Sequence, residues 1–232
     1  MDKYSEILSS FGTQETLNPQ IWDDVERDEP KLKPQIRKAL LMIAGEFMDF
    51  LGDDLFVDDV RFTGSLANYN WSKFSDIDLH LYVDFSQFDV EDVEVYKELF
   101  QLKKTLFNTT HNITVKGFDV ELYAEDIDES HFSTGVYSVM FDTWVHKPEK
   151  ESVKIDKEML LSKANSMMSK IDNAIEDSKS DNYEKAVKHI DSFKEKLKKY
   201  RSSGLEKDGE FSYENLVFKF LRRNGYIEKL FN

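Results

Sequence analysis

The chain has no cysteine in its 232 residues, which excludes disulfides and thiolate metal sites. It has no apolar run long enough to cross a bilayer and no signal-peptide pattern at its start. A cytoplasmic protein with no membrane partner is therefore expected. Positive charge is also scarce, with 31 Lys and Arg against 45 Asp and Glu and a net charge of −14. Proteins that grip long nucleic acid present a basic surface, so broad binding of duplex DNA is not expected. A small substrate, or a nucleic-acid end held locally, fits this charge better. Internal repeats and low-complexity tracts are absent as well.

What is present is ordinary globular material, 40% hydrophobic and 33% charged. The length suits one large domain or two small ones. Residues 1–30 are polar and acidic, with Leu17, Ile21 and Trp22 as anchors and Asp23 to Glu29 as a solvated charge run. Lys31 to Leu51 reads as a helix, with Ile36, Leu40, Ile43, Ala44, Phe47 and Leu51 at helical spacing, Pro34 in its first turn and Gly52 as a stop. Phe56 to Thr63 and Asp76 to Asp84 read as strands. Glu91 to Phe107 reads as a helix carrying Val95, Leu99, Leu102 and Leu106 on one face. Ile113 to Lys116 and Phe118 to Ala124 are strands meeting at Gly117, and Gly135 to Phe141 is a further strand candidate.

The pattern changes after Pro148. Asp156 to Glu176, Asp181 to Arg201 and Ser212 to Leu230 read as amphipathic helices, with Ser178 to Asp181 and Ser202 to Gly209 as connectors. The expected fold class is α+β. Residues 1–150 form a mixed-sheet core flanked by helices, including an N-terminal helix, and residues 151–232 form a helical bundle.

The rest is organised around Thr63 to Tyr82, TGSLANYNWSKFSDIDLHLY. Side chains two apart on a strand share a face, so Asp76 and Asp78 project together, followed by His80 and Tyr82. Ile77, Leu79, Leu81 and Val83 form the opposite, apolar row. Paired carboxylates repel unless a cation lies between them, and oxygen ligands suit magnesium. Asp119 and Glu121 repeat the arrangement on a later strand, so either can supply a third acid. A calcium loop fits less well, because these acids alternate with apolar rather than turn residues. Gly64-Ser65 adds a backbone that a phosphate can approach closely, with N–H and hydroxyl donors.

Gly64-Ser65, ten residues, then Asp76-Ile77-Asp78 between apolar neighbours resembles the signature of the DNA polymerase beta-like nucleotidyltransferase superfamily. Phe118-Asp119-Val120 resembles its third acidic strand, and Asp119 to Asp126 followed by Gly135-Val136-Tyr137 resembles the corresponding part of DNA polymerase beta. Ala67-Asn68-Tyr69-Asn70-Trp71 also resembles a loop of small nucleotidyltransferase-like proteins of bacteriophages. The resemblance covers residues 55–145. It implies an NTP substrate and two magnesium ions, with manganese as a substitute, held by Asp76, Asp78 and Asp119, with Glu121 as the alternate third ligand. It also implies an acceptor hydroxyl on a nucleic-acid end, a protein or a small molecule, deprotonated by Asp119 or another base, with pyrophosphate leaving in line. The competing reading is a non-catalytic nucleotide-binding or toxin–antitoxin-type interaction module on the same fold.

Further candidates for phosphate contact are Lys73 in the loop and the Lys219, Arg222 and Arg223 cluster of the last helix. Lys219 and Arg222 lie on one helical face. Solvation for Lys73, and a favourable charge near a helix C-terminus for the cluster, are the alternatives. Tyr69 and Trp71 are read as stacking on a base or covering the site, with packing onto the helical half as the equal alternative, and His80 as structural, with orienting a metal ligand or accepting a proton as its alternatives.

Overall fold

The computed structural model describes residues 3–52, 55–88, 93–128, 133–178 and 183–231. The expected helix starts at Glu91 and Asp181, and connector residues 179–181, lie outside that set. The chain forms two compact units, Thr13–Glu151 and Met1–Gly12 with Ser152–Asn232. The first residues thus group with the C-terminal helices rather than with the α/β part. Helix α1 (Lys3–Ser9) explains this. Its Ile7 is fully buried, the Tyr4 ring meets Phe220 edge-on at 5.5 Å, and Arg223 Nη1 donates to Ser10 Oγ at 2.7 Å.

In the α/β unit, Trp22–Asp23 (β1) pairs with Lys31–Leu32 (β2), so the helix expected from Lys31 begins later, as α2 (Pro34–Leu51). Proline opens it, and Gly52, at φ 144°, ends it. The main strands are β3 (Asp59–Thr63), β4 (Ile77–Val83), β5 (Thr114–Val115), β6 (Phe118–Asp126), β7 (Val136–Ser138) and β8 (Thr143–His146), with α3 (Val93–Thr110) between β4 and β6. Their sheet order is β5-β6-β4-β3-β7-β8. β4 and β6 are parallel, and α3 lies in the crossover that such a pair requires. The other pairs are antiparallel. At the β5–β6 hairpin, Lys116 (φ 55°) and Gly117 (φ 82°) form a two-residue turn.

The apolar row of β4 is the core, as its alternation requires. Ile77, Leu79, Leu81 and Val83 are fully buried and share one cluster with Phe62, Leu122, Leu40, Phe47, Phe100 and Phe107. Trp22 stacks on Phe62 and Trp144 and donates through Nε1 to the Leu66 carbonyl at 2.8 Å. The apolar face of α3 is not part of this core. Val95, Leu99, Leu102 and Leu106 are exposed, while Phe100 and Phe107 point inward. Leucines at helical spacing suggest a buried stripe, but the larger aromatics claim the inward side. Leu102→Glu is expected to change stability by no more than about 0.5 kcal/mol, whereas Phe107→Ala is expected to cost about 3–5 kcal/mol. Urea denaturation of the two variants checks this.

The opposite face of β3 and β4 is polar yet largely buried. Arg61 Nε donates to Asp59 Oδ2 at 2.8 Å, Ser138 Oγ donates to Asp59 Oδ1 at 2.6 Å, and the Arg61 guanidinium lies 4.0 Å from the Tyr82 ring centroid. Asp59 is 5% exposed. Removing one partner of a buried pair strands the other charge. Arg61→Ala is therefore expected to destabilise the unit by about 3–5 kcal/mol, read as a lowered denaturation midpoint.

The second unit contains α4 (Lys157–Ser178), α5 (Tyr183–Asp208), α6 (Tyr213–Arg223) and α7 (Tyr226–Phe231). Asp156 caps α4 by accepting from the amides of Glu158 and Met159. Two expectations are corrected here. Ser202 to Asp208 continues α5 instead of forming a connector. A Cβ on Gly204 would lie 2.5 Å from Glu214 Cβ, so this glycine makes room for α6 to pack closely. The last predicted helix is two helices, broken at Gly225 (φ 81°). Among the described residues, no helix is long and apolar enough to cross a membrane.

Candidate metal centre

The centre is one row across three strands. Thr63 in β3 pairs with Asp78 in β4, which pairs with Glu121 in β6. Asp76 stands just before β4, two residues from Asp78 and so on the same side. Carboxylate oxygens of Asp76, Asp78 and Glu121 lie within 4.8 Å of one another, and all three residues are half-buried. Three hard oxygen ligands held together can bind a metal ion, and the clustered negative charge favours a cation.

Asp119 is not in this group. It is exposed and pairs with Thr114 of β5. The parallel register sets Glu121, not Asp119, beside Asp78. The register between strands distant in sequence decides between two acids on one face, and a single strand's pattern does not reveal it. Glu121→Gln is expected to weaken Mn²⁺ binding at least about tenfold, and Asp119→Asn by less than about twofold, by the ligand logic of such sites. Electron paramagnetic resonance of free Mn²⁺ distinguishes the two variants.

Gly64 is built into the centre. Its φ is 78°, and a Cβ there would lie 1.9 Å from Asp78 Oδ2. The Asp78 carboxylate thus fills the space that a side chain at position 64 would take. Ser65 opens a short 3-10 turn, Ser65–Ala67. Its hydroxyl donates to Ser75 Oγ at 2.7 Å, and Ser75 Oγ also accepts from the Ser72 amide at 3.0 Å. The hydroxyl expected to meet phosphate is therefore engaged in closing the loop, just before Asp76. Asn68 is buried, donates to the Gly64 carbonyl at 3.1 Å and accepts from Thr134 Oγ1 at 2.8 Å. Trp71 Nε1 donates to the Thr16 carbonyl at 2.8 Å, and the Tyr69 carbonyl accepts from the Gln14 amide at 2.7 Å. Both aromatics are half-buried and pack on the core cluster of the α/β unit, whereas the packing expected for them was onto the helical half. Lys73 is exposed in the same loop, with Nζ 4.9 Å from the Phe74 ring centroid.

Beside the carboxylates lies a stack that sequence reasoning missed. His80 pairs with Tyr123 across the strands, and their rings stack at 4.4 Å with 7° between planes. Lys104 of α3 places Nζ 3.9 Å from the Tyr123 ring centroid. Tyr123 Oη donates to Glu121 Oε2 at 2.6 Å. His80 Nδ1 lies 3.1 Å from Glu125 Oε2. Burial, then the charges of Asp78 and Glu121, push the Tyr123 phenol far above its ordinary range. Burial pulls the Lys104 ammonium down, opposed by Glu121, Glu125 and Asp78. The alternation Asp119, Glu121, Tyr123, Glu125 is the sequence signal that could have placed Tyr123 on the acid face. Lys104 had no local signal, because only the packing of α3 on β6 brings it there.

Lys219 and Arg222 belong to the helical unit. Lys219 Nζ pairs with Glu210 Oε2 at 3.2 Å, and Arg222 is exposed. Arg223 lies over the Phe11 ring at 4.7 Å.

A comparison of the chain with known protein families, curated proteins and solved structures finds no match.

Proposed function

We propose that the chain is a metal-dependent nucleotidyltransferase that moves a nucleoside monophosphate from an NTP to an acceptor hydroxyl. The observation that carries this reading is the joining of a Gly-Ser turn to a three-carboxylate centre, with Gly64 packed against Asp78. Asp76, Asp78 and Glu121 would hold magnesium, as two ions, with manganese as a substitute. A bound cation supplies the positive charge that draws the triphosphate in and stabilises its oxygens as the bond breaks.

The chain's own groups do the rest. The missing side chain at Gly64 leaves room for the Asp78 carboxylate beside the Gly-Ser turn, whose backbone N–H groups are the candidate phosphate donors. The strand register brings the three carboxylates together, and groups placed in advance are what an in-line displacement requires of its site. The acceptor oxygen bonds to the α-phosphorus, and the bond from that phosphorus to the bridging oxygen breaks. Pyrophosphate leaves, and the hydroxyl proton passes to a base. Lys73 is a candidate contact for the departing phosphates. The net charge of −14 favours a small or locally held acceptor over a long nucleic acid.

The test is incubation with each α-labelled NTP in magnesium or manganese, with RNA or lysate, beside the Asp76→Ala, Asp78→Ala double variant. Label moving to RNA, protein or a small product, and not moving with the variant, is the expected result. NTP binding without transfer under every condition would replace this reading with that of a nucleotide-binding module.

A further inference from the structure

We propose that Tyr123 is a positioning residue for Glu121, and that the metal affinity of the centre depends on its hydroxyl. The inference rests on the metal-centre reading above and goes beyond it by naming what holds the third ligand.

Glu121 differs from the two aspartates in having one more rotatable bond. A longer carboxylate must lose more freedom before it can join a shared ligand set. The Tyr123 hydroxyl supplies the restraint, donating to Glu121 Oε2 at 2.6 Å. Hydrogen bonds to an ionised carboxylate are short and strong. A carboxylate offers about four lone-pair sites, so one phenol leaves capacity for a cation.

Tyr123 is itself fixed from both sides. The His80 ring covers one face at 4.4 Å, and Lys104 Nζ stands 3.9 Å from the ring centroid. Glu125 Oε2, 3.1 Å from His80 Nδ1, restrains the histidine. Helix α3, which carries Lys104, is registered on β6 by Asn108. Its side chain donates to the Leu122 carbonyl at 2.9 Å and accepts from the Leu122 amide at 3.1 Å. The restraint on Glu121 thus runs through the ring to a helix pinned on the same strand. A tyrosine that only filled space could be phenylalanine. Here the hydroxyl is aimed at a carboxylate of the centre, as the groups that orient metal ligands are.

The experiment measures Mn²⁺ affinity, with the metal alone, by electron paramagnetic resonance. The proteins are the parent, Asp78→Asn, Tyr123→Phe, Glu121→Gln and the Tyr123→Phe, Glu121→Gln double variant. Tyr123→Phe keeps the stacked ring and removes only the donor. It is expected to weaken binding about 10–100-fold, with the metal-free melting temperature close to the parent's. In the Glu121→Gln background the same change is expected to have less than about a twofold effect, because coupled residues do not act additively. Parent-like affinity in Tyr123→Phe, alongside weakened binding in Asp78→Asn, would overturn the positioning role and leave the centre standing. Full additivity in the double variant would also overturn it. Parent-like affinity in Asp78→Asn would remove the metal centre itself, and this inference with it.

Discussion

Replacing Asp78 by asparagine is expected to abolish nucleotidyl transfer while leaving the metal-free protein as stable as the parent or more so. Asp78 stands between Asp76, two residues earlier, and Glu121, its register partner, with ligand oxygens of all three within 4.8 Å. At that separation and an effective dielectric constant near 20, two unit charges repel by roughly 3–4 kcal/mol before screening. These residues are half-buried and the Lys104 ammonium acts on Asp78 and Glu121, so the net relief is smaller. A gain of zero to about 1 kcal/mol in urea denaturation with chelator present is the expected range. Transfer behaves oppositely, because the same charge is what a cation requires. Loss of at least about a thousandfold in rate corresponds to about 4 kcal/mol of transition-state stabilisation. The third readout is the melting temperature in magnesium. The parent is expected to be stabilised by the ion and the variant is not, since only a protein that binds the ligand gains from it. A variant that keeps transfer, or keeps the magnesium response, refutes the role given to Asp78.

That pairing of losses and gains shows how much of the centre was legible in the chain. Alternation fixed the faces of β4, because a one-residue error would have turned four apolar side chains outward. Asp76 and Asp78 followed from that directly. Which acid of β6 joins them did not, since Asp119 and Glu121 share a face and only the parallel register ranks them. The same limit explains α3. Its leucines have helical spacing, but Phe100 and Phe107 occupy the inward side, and the periodicity of one helix does not say which face meets a neighbour. Gly204 failed for a related reason. Ser-Ser-Gly has the composition of a linker, yet the glycine sits within a helix because α6 packs against it. Lys104 and Ser75 joined the site only through contacts remote in sequence or closed by a loop. In each case local chemistry was readable, and the partner supplied by tertiary packing was not.

Gly64→Ala is the second change with a large expected effect, and it tests the join between turn and centre. Two costs are superposed at this position. At φ 78° an L-residue is strained, by about 1–2 kcal/mol. The added Cβ would also lie 1.9 Å from Asp78 Oδ2 and 2.9 Å from Asp78 Cγ, so the carboxylate or the turn must move. Gly117 separates these costs. Its φ is 82°, but a Cβ there would meet nothing within 4 Å. Gly117→Ala should therefore show backbone strain alone, a loss of about 1–2 kcal/mol, with unchanged Mn²⁺ affinity. Gly64→Ala should show a comparable or larger loss of stability and, in addition, a fall in metal affinity and transfer of about a hundredfold or more, because a ligand displaced by about 1 Å no longer completes the set. If the two alanine variants lose stability alike and Gly64→Ala still binds Mn²⁺ as the parent does, then Gly64 serves the turn and not the carboxylate. If metal affinity falls only in Gly64→Ala, the glycine is part of the centre, and the spacing between Gly64 and Asp78 has a steric cause.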